Sequence, residues 1–410
     1  MKIALLGYGK EGQAAEKYFT ARGAEIKIFE NFTDEDVEHF NLDGYDLILR
    51  SPSVRPRSGW SSMTKYFFEN CPCPIIGVTA TKGKGTTCSF IASILKACGE
   101  TVHLVGNIGV PAISELDKIQ PTDVVVYEMS SFQLWDLDRS PRVAVVGVIE
   151  PDHLNVHRDY NEYVSAKANI ARHQSANDYL VYYKDNADSV KIANESPAIK
   201  NAYPTTDIPQ DVLDSIVIPG RHNRDNAMAA ILAVSCYYGL PVQDFIKQKA
   251  TDIRTGLANF KGLPHRLEYL QTLNNVLYYD DNFATNPASM KVAVESFPEQ
   301  KVVLILGGRD KTENEDLPEI MDILTNNQNL AKIVLMGESG HEIYRRYQDE
   351  RFVLVESLTE AVEVAKTAAE DIATPSNPAV LLMSPAAASF DMFENVYDRG
   401  DQFKKIVQKK

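Results

Sequence analysis

Gly77-Val78-Thr79-Ala80-Thr81-Lys82-Gly83-Lys84-Gly85-Thr86-Thr87 is a glycine-rich loop of the kind that joins a buried strand to a helix. The apolar run Ile75–Val78 predicts the strand, and the residues after the loop predict a helix over Thr86–Cys98. Backbone N–H groups of such a loop can hold phosphates, and a lysine can reach the β- and γ-phosphates of a nucleotide. The loop therefore predicts an α/β nucleotide-binding domain, with a solvated loop that binds no ligand as the alternative.

This loop departs from a standard phosphate loop in two ways. Gly77 lies one residue too far from Gly83-Lys84, and Gly85 rather than serine or threonine follows the lysine. Thr86, or Thr87 if the loop is wound differently, must then supply the hydroxyl that a bound Mg²⁺ needs. The candidate nucleotide-binding residues of the loop are Thr81, Lys82, Gly83, Lys84, Gly85, Thr86 and Thr87.

Short apolar runs alternate with helical stretches along the whole chain, which is the pattern of α/β layers. Several runs are continuous in Val, Ile and Leu, as expected of parallel strands that are buried on both faces. Breaks at Cys71-Pro72-Cys73-Pro74 and near Phe260–Pro264 predict three domains, 1–71, 72–262 and 263–410. The predicted strands are Ile3–Leu6, Ile26–Phe29, Leu47–Leu49, Ile75–Val78, Val124–Tyr127, Val143–Val148, Val276–Tyr279, Val302–Leu306, Ile333–Met336 and Val380–Met383.

The composition excludes several classes of protein. The chain has 410 residues, 44% of them hydrophobic and 24% charged, which is typical of a globular protein of two or three domains. Its formal net charge of -14 argues against a broad nucleic-acid footprint but permits an anionic ligand at a local positive site. No run of about 18 uncharged apolar residues predicts a membrane helix, and the N-terminus lacks the features of a signal peptide. The five cysteines contain no CxxC pair, so we expect free thiols, mostly packed as small apolar groups in a reducing cytoplasm.

A second glycine-rich motif, Gly7-Tyr8-Gly9-Lys10-Glu11-Gly12, follows the first predicted strand. Its glycines let the backbone approach a phosphate or a sugar, and the helix N-terminus after it favours an anion. Glu30 ends the next strand, roughly where a ribose-binding acid lies in a dinucleotide-binding fold. The residues alone leave three interpretations open, namely NAD binding, binding of another nucleotide, and a tight turn without a ligand.

Polar side chains at other strand ends and helix starts are also candidates. Glu128 ends a predicted strand downstream of the phosphate loop, where a carboxylate could bind Mg²⁺. His153, within Glu150–His157, follows another apolar strand, at the usual ligand edge of an α/β sheet. Asn223 and Asn226 share a helix face, and their carboxamides suit an adenine edge. By themselves these residues are also consistent with a capping acid, a hydrogen-bonded structural histidine and a simple helix cap.

Taken in this order, the motifs resemble those of the Mur ligase family, and the resemblance runs from about residue 3 to residue 407. Segments nearer the C-terminus extend it. Those that resemble the family's HR-x-E, D-S-K-A-T-N and L-G-G-x-x-K segments are His265–Glu268, Asp280–Pro287 and Leu306–Lys311. Leu382–Asp391, followed by Phe393, Asn395 and Arg399–Phe403, resembles the C-terminal signature of the members that add D-glutamate.

This resemblance implies an ATP-dependent, amide-forming ligase of three α/β domains. It implies a Rossmann-like N-terminal domain for a UDP-linked substrate, a central P-loop-type ATPase domain with a mostly parallel sheet, and a Rossmann-like C-terminal domain for an amino acid. The implied reaction joins D-glutamate to UDP-N-acetylmuramoyl-L-alanine in peptidoglycan precursor synthesis. The substrate carboxylate attacks the γ-phosphate of ATP, and the amine of the amino acid then attacks the resulting acyl phosphate. Positioning and charge neutralisation dominate such phosphoryl transfers.

The resemblance also implies roles for individual residues around ATP and two Mg²⁺ ions. Lys84 would contact the β- and γ-phosphates, and Thr86 and Glu128 would hold one Mg²⁺. His153 would help to hold the second ion. The residues around Lys167 alone favour a solvated helix lysine, but under the resemblance Lys167 aligns with the carbamylated lysine of the family, whose carbamate is an anionic Mg²⁺ ligand. The implied adenine or ATP contacts are Asn223, Asn226, Arg266 and Asp281.

The two substrates would be bound near opposite ends of the chain. The implied contacts of the UDP-linked substrate are Gly9, Lys10, Glu11, Glu30, Asn31, Ser51, Ser53, Asn107 and Ser130, and those of the amino acid are Thr285, Lys311 and Ser389. Phe283 stands where the family usually has lysine, Val396 where it often has phenylalanine, and Ser53 where it has glycine. A ligase of the same superfamily that adds a different amino acid, such as L-glutamate, or a folylpolyglutamate-type ligase therefore stays an alternative.

Two alternative functions remain to be distinguished from that of a ligase. A nicotinamide-dependent dehydrogenase would use Gly7–Gly12 and Glu30 but would leave the other motifs unexplained. A catalytically silent ATP-binding protein would bind ATP and release no phosphate. For the ligase we expect a cytoplasmic monomer that binds neither nucleic acid nor membrane.

Overall fold

Three sheets organise the described part of the chain, and helices follow most of their strands. The computed structural model describes residues 1–30, 32, 41–309 and 315–408. The first two sheets belong to one unit, formed by Met1–Ser215 with Arg224–Asn259, and the third belongs to another, formed by Ile216–Asn223 with Phe260–Lys410. Each sheet falls within one of the three domains predicted from the sequence, whose boundaries remain a prediction.

The first sheet has the strand order β2-β1-β3-β4, and its neighbouring strands are parallel. Its elements are β1 Lys2–Leu6, α1 Lys10–Thr20, β2 Glu25–Phe29, β3 Leu47–Arg50, β4 Ser61–Ser62 and α2 Met63–Asn70. Alternate residues of β1 enter separate clusters, since Ile3 and Leu5 pack in one and Ala4 and Leu6 in the other. Both faces of β1 are therefore buried, which explains its continuous apolar run.

The second sheet is parallel throughout, with the order β10-β9-β8-β5-β7-β6. Its strands are β5 Ile75–Thr79, β6 Val102–Gly106, β7 Val124–Glu128, β8 Val143–Val146, β9 Tyr179–Tyr183 and β10 Ile199–Tyr203. The helices along this part of the chain are α3 Lys84–Ala97, α4 Ser131–Leu134, α5 Tyr160–Arg172, α6 Ala187–Glu195, α7 Gln210–Leu213, α8 Arg221–Tyr237 and α9 Val242–Asn259. Because β5 lies between β7 and β8, the segments that follow these three strands meet at one edge of the sheet.

The third sheet has the order β11-β12-β16-β13-β14-β15, and only β11 runs antiparallel to its described neighbour. Its strands are β11 Glu268–Leu273, β12 Val276–Asp280, β13 Val302–Gly307, β14 Leu330–Met336, β15 Phe352–Leu354 and β16 Ala379–Met383. Its helices are α10 Pro287–Glu295, α11 Leu317–Asn326, α12 Gly337–Arg346, α13 Leu358–Ile372 and α14 Val396–Gln408. The segments after β12, β13 and β16 again meet at one edge.

The α/β class and the mostly parallel sheets predicted from the sequence are confirmed, and every predicted strand is found with small shifts at its ends. The helix after the phosphate loop begins at Lys84, two residues earlier than predicted, because Gly83 adopts φ 83° as the residue before its first turn. Within the described ranges, no single helix has the length and apolar character to cross a membrane. Only the bent pair of α8 and α9, taken together, meets both criteria.

Candidate active site

The phosphate loop is held in place by backbone contacts and by one glycine. The Thr81 amide donates to the carbonyl oxygen of Val148 at 2.7 Å, and the Thr81 hydroxyl accepts from the Glu150 amide at 2.9 Å. A Cβ added to Gly83 would lie 2.6 Å from Oδ1 of Asn226, so this position has neither the backbone angle nor the space for a side chain. The loop therefore presents the N-terminus of the 14-residue helix α3 with close backbone access, as an anion site requires.

Lys84 and Lys167 converge on this loop from two helices. Each Nζ donates to the carbonyl oxygen of Ala80 at 2.8 Å, and Lys84 also donates to that of Thr81 at 3.0 Å. Lys167 is only 2% exposed, and its Nζ lies 3.3 Å from the hydroxyl of Thr79. Burial, and next the ammonium of Lys84, hold the pKa of Lys167 well below its usual range. The site thus combines the ammonium of Lys84 with Lys167, whose lowered pKa favours the uncharged amine.

Glu128 brings a carboxylate to the same edge. It ends β7, is 6% exposed, and its Oε1 accepts from Nδ2 of Asn107 at 3.3 Å. The Asn107 amide also donates to the carbonyl oxygen of Glu128 at 3.1 Å. The carboxylates of Asp152 and Glu128 act on the pKa of Lys167 in the opposite direction to burial, so they belong to one electrostatic group. The structure therefore brings Lys84, Glu128 and Lys167 together at one edge of the second sheet. The strand-end and helix-start positions of Glu128 and Lys84 suggested this, whereas Lys167 lies within α5 and was indicated only by the family resemblance.

The hydroxyls of the loop differ in availability. Thr87 is buried, and its Oγ1 donates to Oδ1 of Asn226 at 3.3 Å, whereas Thr86 is half-buried. Lys82 points outward, with its side chain 81% exposed and its Nζ 3.2 Å from Glu150 Oε2. The geometry therefore favours the hydroxyl oxygen of Thr86 over that of Thr87 as a ligand of a bound cation.

His153 and Ser130 lie in the segments after β8 and β7. His153 has φ 54°, is exposed, and its ring centroid lies 5.1 Å from that of Phe132. Its Nε2 is 3.5 Å from Oδ2 of Asp152. Ser130 is the N-cap of α4, and its hydroxyl accepts from the Gln133 amide at 3.2 Å. His153 is thus accessible to a ligand, while the Ser130 side chain already caps a helix.

The candidate residues of the first sheet are partly accessible and partly committed. Gly9, Lys10, Glu30 and Ser53 are exposed, and the hydroxyls of Ser51 and Ser53 lie 2.9 Å apart. The Glu11 carboxylate accepts from Nε2 of Gln133 at 2.6 Å, and burial raises its pKa. Asn31 lies outside the described residues. Glu11 therefore links α1 to α4, whereas the exposed groups are free to approach a ligand from solvent.

Sequence reasoning missed Arg50, which fixes the loop that contains Ser51 and Ser53. Arg50 is 1% exposed, although it directly follows an apolar strand. It forms a two-pronged ion pair with Asp136 and donates to the carbonyl oxygens of Val54 and Phe132 at 3.1 and 3.2 Å. The available signal in the sequence was a charged residue at the end of a buried strand. That signal does not identify Asp136, 86 residues away, as the partner of Arg50.

We expect Arg50→Ala to lower the free energy of unfolding by about 3 to 5 kcal/mol, because it leaves the partly buried Asp136 carboxylate without its ion-pair partner. Urea denaturation followed by circular dichroism measures this. Arg22→Ala is the matched control, since Arg22 pairs with Asp117 at the exposed surface and should change the value by less than about 1 kcal/mol. Equal effects of the two substitutions would contradict a special role for the buried pair.

The second unit carries a further group of candidates. Asp281 is 7% exposed; it accepts from the Leu267 amide at 3.0 Å and from the Ser384 hydroxyl at 2.8 Å. Burial raises the pKa of Asp281 to about 7. Arg266 is exposed, and its guanidinium lies over the ring of Phe283 with 5.4 Å to the centroid. The ring of Phe283 thus packs against the Arg266 guanidinium. It cannot supply the positive charge of the lysine that the resemblance leads one to expect at this position.

The two asparagines of α8 are used differently. Asn223 is buried, and its Nδ2 donates to the carbonyl oxygen of Pro219 at 2.5 Å. Asn226 accepts from Thr87 beside the phosphate loop. Asn226 is therefore placed next to the loop, whereas the carboxamide of Asn223 already makes a local turn contact.

Ser389 and Thr285 lie at the carboxyl edge of the third sheet. Ser389 is 2% exposed, and its Oγ has no hydrogen-bond partner among the described residues. Thr285 is half-buried. Lys311 lies outside the described residues. A buried hydroxyl without a partner is costly in a finished core, which indicates that Ser389 is available to a ligand.

Arg399 organises this edge and was not assigned a role from the sequence. It is fully buried, and its guanidinium donates to the carbonyl oxygens of Asn282, Ala387 and Ala388, each at 3.1 Å. Burial lowers its pKa to about 10. Arg399 therefore ties the segment after β12 to the segment that carries Ser389.

One acid–histidine group of the second unit has the composition of a metal site. Ligand atoms of His265, Glu268 and Asp280 lie within 4.8 Å of one another. However, His265 Nδ1 is 2.7 Å from Asp280 Oδ2, and Glu268 Oε2 is 2.6 Å from Nζ of Lys404. Hydrogen bonds and an ion pair within the protein account for this cluster.

Comparison with known proteins agrees with the motifs and the fold. The chain matches the Mur ligase middle domain over residues 78–234 and the Mur ligase, glutamate ligase domain over residues 265–385. The UDP-N-acetylmuramoylalanine–D-glutamate ligase of Acetivibrio thermocellus is 34% identical, in an alignment that covers 99% of this chain and 96% of that protein.

Solved structures share the architecture at low sequence identity. The UDP-N-acetylmuramate-alanine ligase MurC of Thermotoga maritima superposes with a TM-score of 0.60 at 18% identity, covering 100% of this chain and 99% of that one. The MurF ligase of the same organism, solved in complex with ADP, gives a TM-score of 0.59 at 16% identity, covering 99% and 95%. With two family domains matched in order and a relative at 34% identity along nearly the whole chain, the protein belongs to the Mur ligase family.

Proposed function

We propose that this chain is an ATP-dependent ligase that joins D-glutamate to UDP-N-acetylmuramoyl-L-alanine, a step of peptidoglycan precursor synthesis. The observation that carries the proposal is the meeting of the glycine-rich loop, Lys84, Lys167 and Glu128 at one sheet edge. The full-length similarity to a ligase of that name supports the choice of substrates. A dehydrogenase would need none of these residues.

The residues of this edge fit a nucleoside triphosphate and Mg²⁺. The ammonium of Lys84 and the buried Lys167 amine both donate to one carbonyl oxygen, so an anion that accepts from Lys84 would relieve that crowding. Thr86 and Glu128 would hold one Mg²⁺, which when bound neutralises charge on the phosphates. Lys84 would orient the γ-phosphate, and Asn226 would support the loop. Asn223 remains a proposed ATP contact from its residue type and position, and Arg266 and Asp281 remain proposed ATP contacts from the family resemblance.

Lys167 would act as a carbamate. Carbamylation needs a lysine amine that is not protonated, and burial beside Lys84 favours that form. The product is an anion at the same position, where it would serve as a ligand of a second Mg²⁺ together with His153. The carboxylates of Glu128 and Asp152 are near enough to influence Lys167, as expected around a site for divalent cations.

The remaining sheets would bind the two molecules that are joined. In the first, Gly9, Lys10, Glu30 and Ser51 would contact the UDP-linked substrate, together with Asn107 of the second. In the third, Thr285, Ser389 and Lys311 would bind the amino acid. The buried Ser389 hydroxyl, which has no hydrogen-bond partner within the described part of the chain, supports this. The substrate carboxylate takes the γ-phosphoryl group, and the amine of D-glutamate then displaces phosphate to leave an amide. We expect the enzyme to act as a cytoplasmic monomer, without nucleic acid or membrane.

Phosphate release with UDP-N-acetylmuramoyl-L-alanine, ATP and Mg²⁺ across a panel of D- and L-amino acids tests this function. We expect release with D-glutamate and only background release with L-glutamate or without the UDP-linked substrate. Release with another amino acid alone would correct the amino-acid specificity, and release with a folate in place of the UDP-linked substrate would favour the folylpolyglutamate alternative. No release with any combination would refute the ligase.

A further inference from the structure

Cys71 and Cys73 lie in contact, although the sequence suggested that they are ordinary packed thiols. Cys71 and Cys73 connect α2 to β5, with Pro72 between them, and their Sγ atoms are 3.8 Å apart. Cys73 is 8% exposed and packs in the core of the second sheet, whereas Cys71 is half-buried. A disulfide places its sulfurs about 2.05 Å apart, so closing this bond needs a relative shift of less than about 2 Å.

The surroundings divide the two thiols into an attacking and a resolving group. The hydrogen bond between the pair is the largest influence that lowers the pKa of Cys71, and the nearby imidazole of His103 acts in the same direction. The same hydrogen bond and burial raise the pKa of Cys73, and the carboxylate of Asp123 adds to the effect. The thiolate is the nucleophile in exchange with a disulfide, so Cys71, which is more accessible and has the lowered pKa, is the attacking thiol.

We propose that Cys71 and Cys73 form a redox-active dithiol that closes to an intramolecular disulfide by exchange with a small-molecule disulfide such as glutathione disulfide. The Cys71 thiolate attacks one sulfur of that molecule, whose S–S bond breaks, and the first glutathione thiolate leaves. Cys73 then loses its proton and attacks Cys71 Sγ, which releases the second glutathione thiolate. Two protein thiols are thus oxidised, one glutathione disulfide is reduced, and the two protons end on the two glutathione molecules.

The other three cysteines provide a contrast within the same chain. Cys88 and Cys236 are buried, and burial raises the pKa of each. Cys98 is half-buried like Cys71, but burial raises its pKa, whereas the hydrogen bond with Cys73 lowers that of Cys71. Cys98 is therefore the matched control for accessibility, and we expect it to react with iodoacetamide at least about tenfold more slowly than Cys71.

The test treats the full chain with glutathione disulfide, blocks the remaining thiols and measures peptide masses. Trypsin cleavage after Lys65 and Lys82 releases both cysteines in one peptide, residues 66–82. We expect this wild-type peptide to lose the mass of two hydrogen atoms and to resist alkylation. Cys73→Ser should instead keep one glutathione on Cys71, since its resolving thiol is gone, and Cys98→Ser should behave as wild type. A wild-type peptide that keeps glutathione or stays fully alkylatable would overturn the proposal.

Discussion

Replacing Lys84 with alanine is expected to slow ATP-dependent phosphate release by about a hundredfold to a thousandfold. The Lys84 ammonium is held against the phosphate loop by the carbonyl oxygens of Ala80 and Thr81, at 2.8 and 3.0 Å. It is therefore in place before ATP arrives and needs little rearrangement to meet the γ-phosphate. Alanine removes the charge, so the negative charge that spreads over the transferred phosphoryl group loses its fixed counter-charge. Steady-state phosphate release with both substrates measures the effect.

Lys96→Ala is the control for this substitution. Lys96 lies in the last turn of the same helix and is exposed, so its removal changes the net charge equally without touching the loop. It should retain the wild-type rate within about twofold, and circular dichroism should show both variants folded. A Lys84→Ala enzyme within tenfold of wild type would show that the loop does not hold the transferred phosphate.

The local sequence pattern was sufficient to predict the strands and the loops that follow them. Runs such as Val124–Tyr127 and Val143–Val148 are apolar on both faces because helices cover both sides of a parallel sheet, and few other structures need that pattern. Once the strands are parallel, their carboxyl ends share an edge. Glu128 and the Gly77–Thr87 loop, which lie 41 residues apart, could therefore be predicted to meet.

Pairings between distant segments could not be predicted in the same way. Arg50 directly follows the predicted strand Leu47–Leu49 and had no predicted partner, yet it is buried against Asp136. Arg399 belonged to a recognisable segment, but its three carbonyl partners are brought together only by the third sheet. These contacts depend on how loops close over the sheets, which periodicity does not encode. For Lys167 the residues alone favoured a solvated helix lysine, and only the family resemblance indicated a special role.

Replacing Lys167 with alanine is expected to reduce turnover by at least about a hundredfold, and formate or acetate should restore part of the loss. The buried side chain ends 2.8 Å from the carbonyl oxygen of Ala80, among Lys84, Glu128 and Asp152. Alanine removes the proposed carbamate and leaves a space beside Lys84 that a small carboxylate can enter. The measurement is the turnover of Lys167→Ala as a function of added carboxylate, with chloride at equal ionic strength as the reference.

Lys167→Met separates loss of an anion from loss of packing. Methionine fills much of the space of the lysine stem, so this variant should be equally inactive but should not respond to formate. The carbamate itself can be observed without any assay of activity, because wild-type protein equilibrated with carbon-13 bicarbonate should show a carbamate carbonyl signal by NMR that both variants lack. Near-wild-type turnover of Lys167→Ala without added carboxylate would contradict the proposed ligand. Rescue of Lys167→Met by formate would instead show that the added anion acts elsewhere, since the space beside Lys84 is filled in that variant.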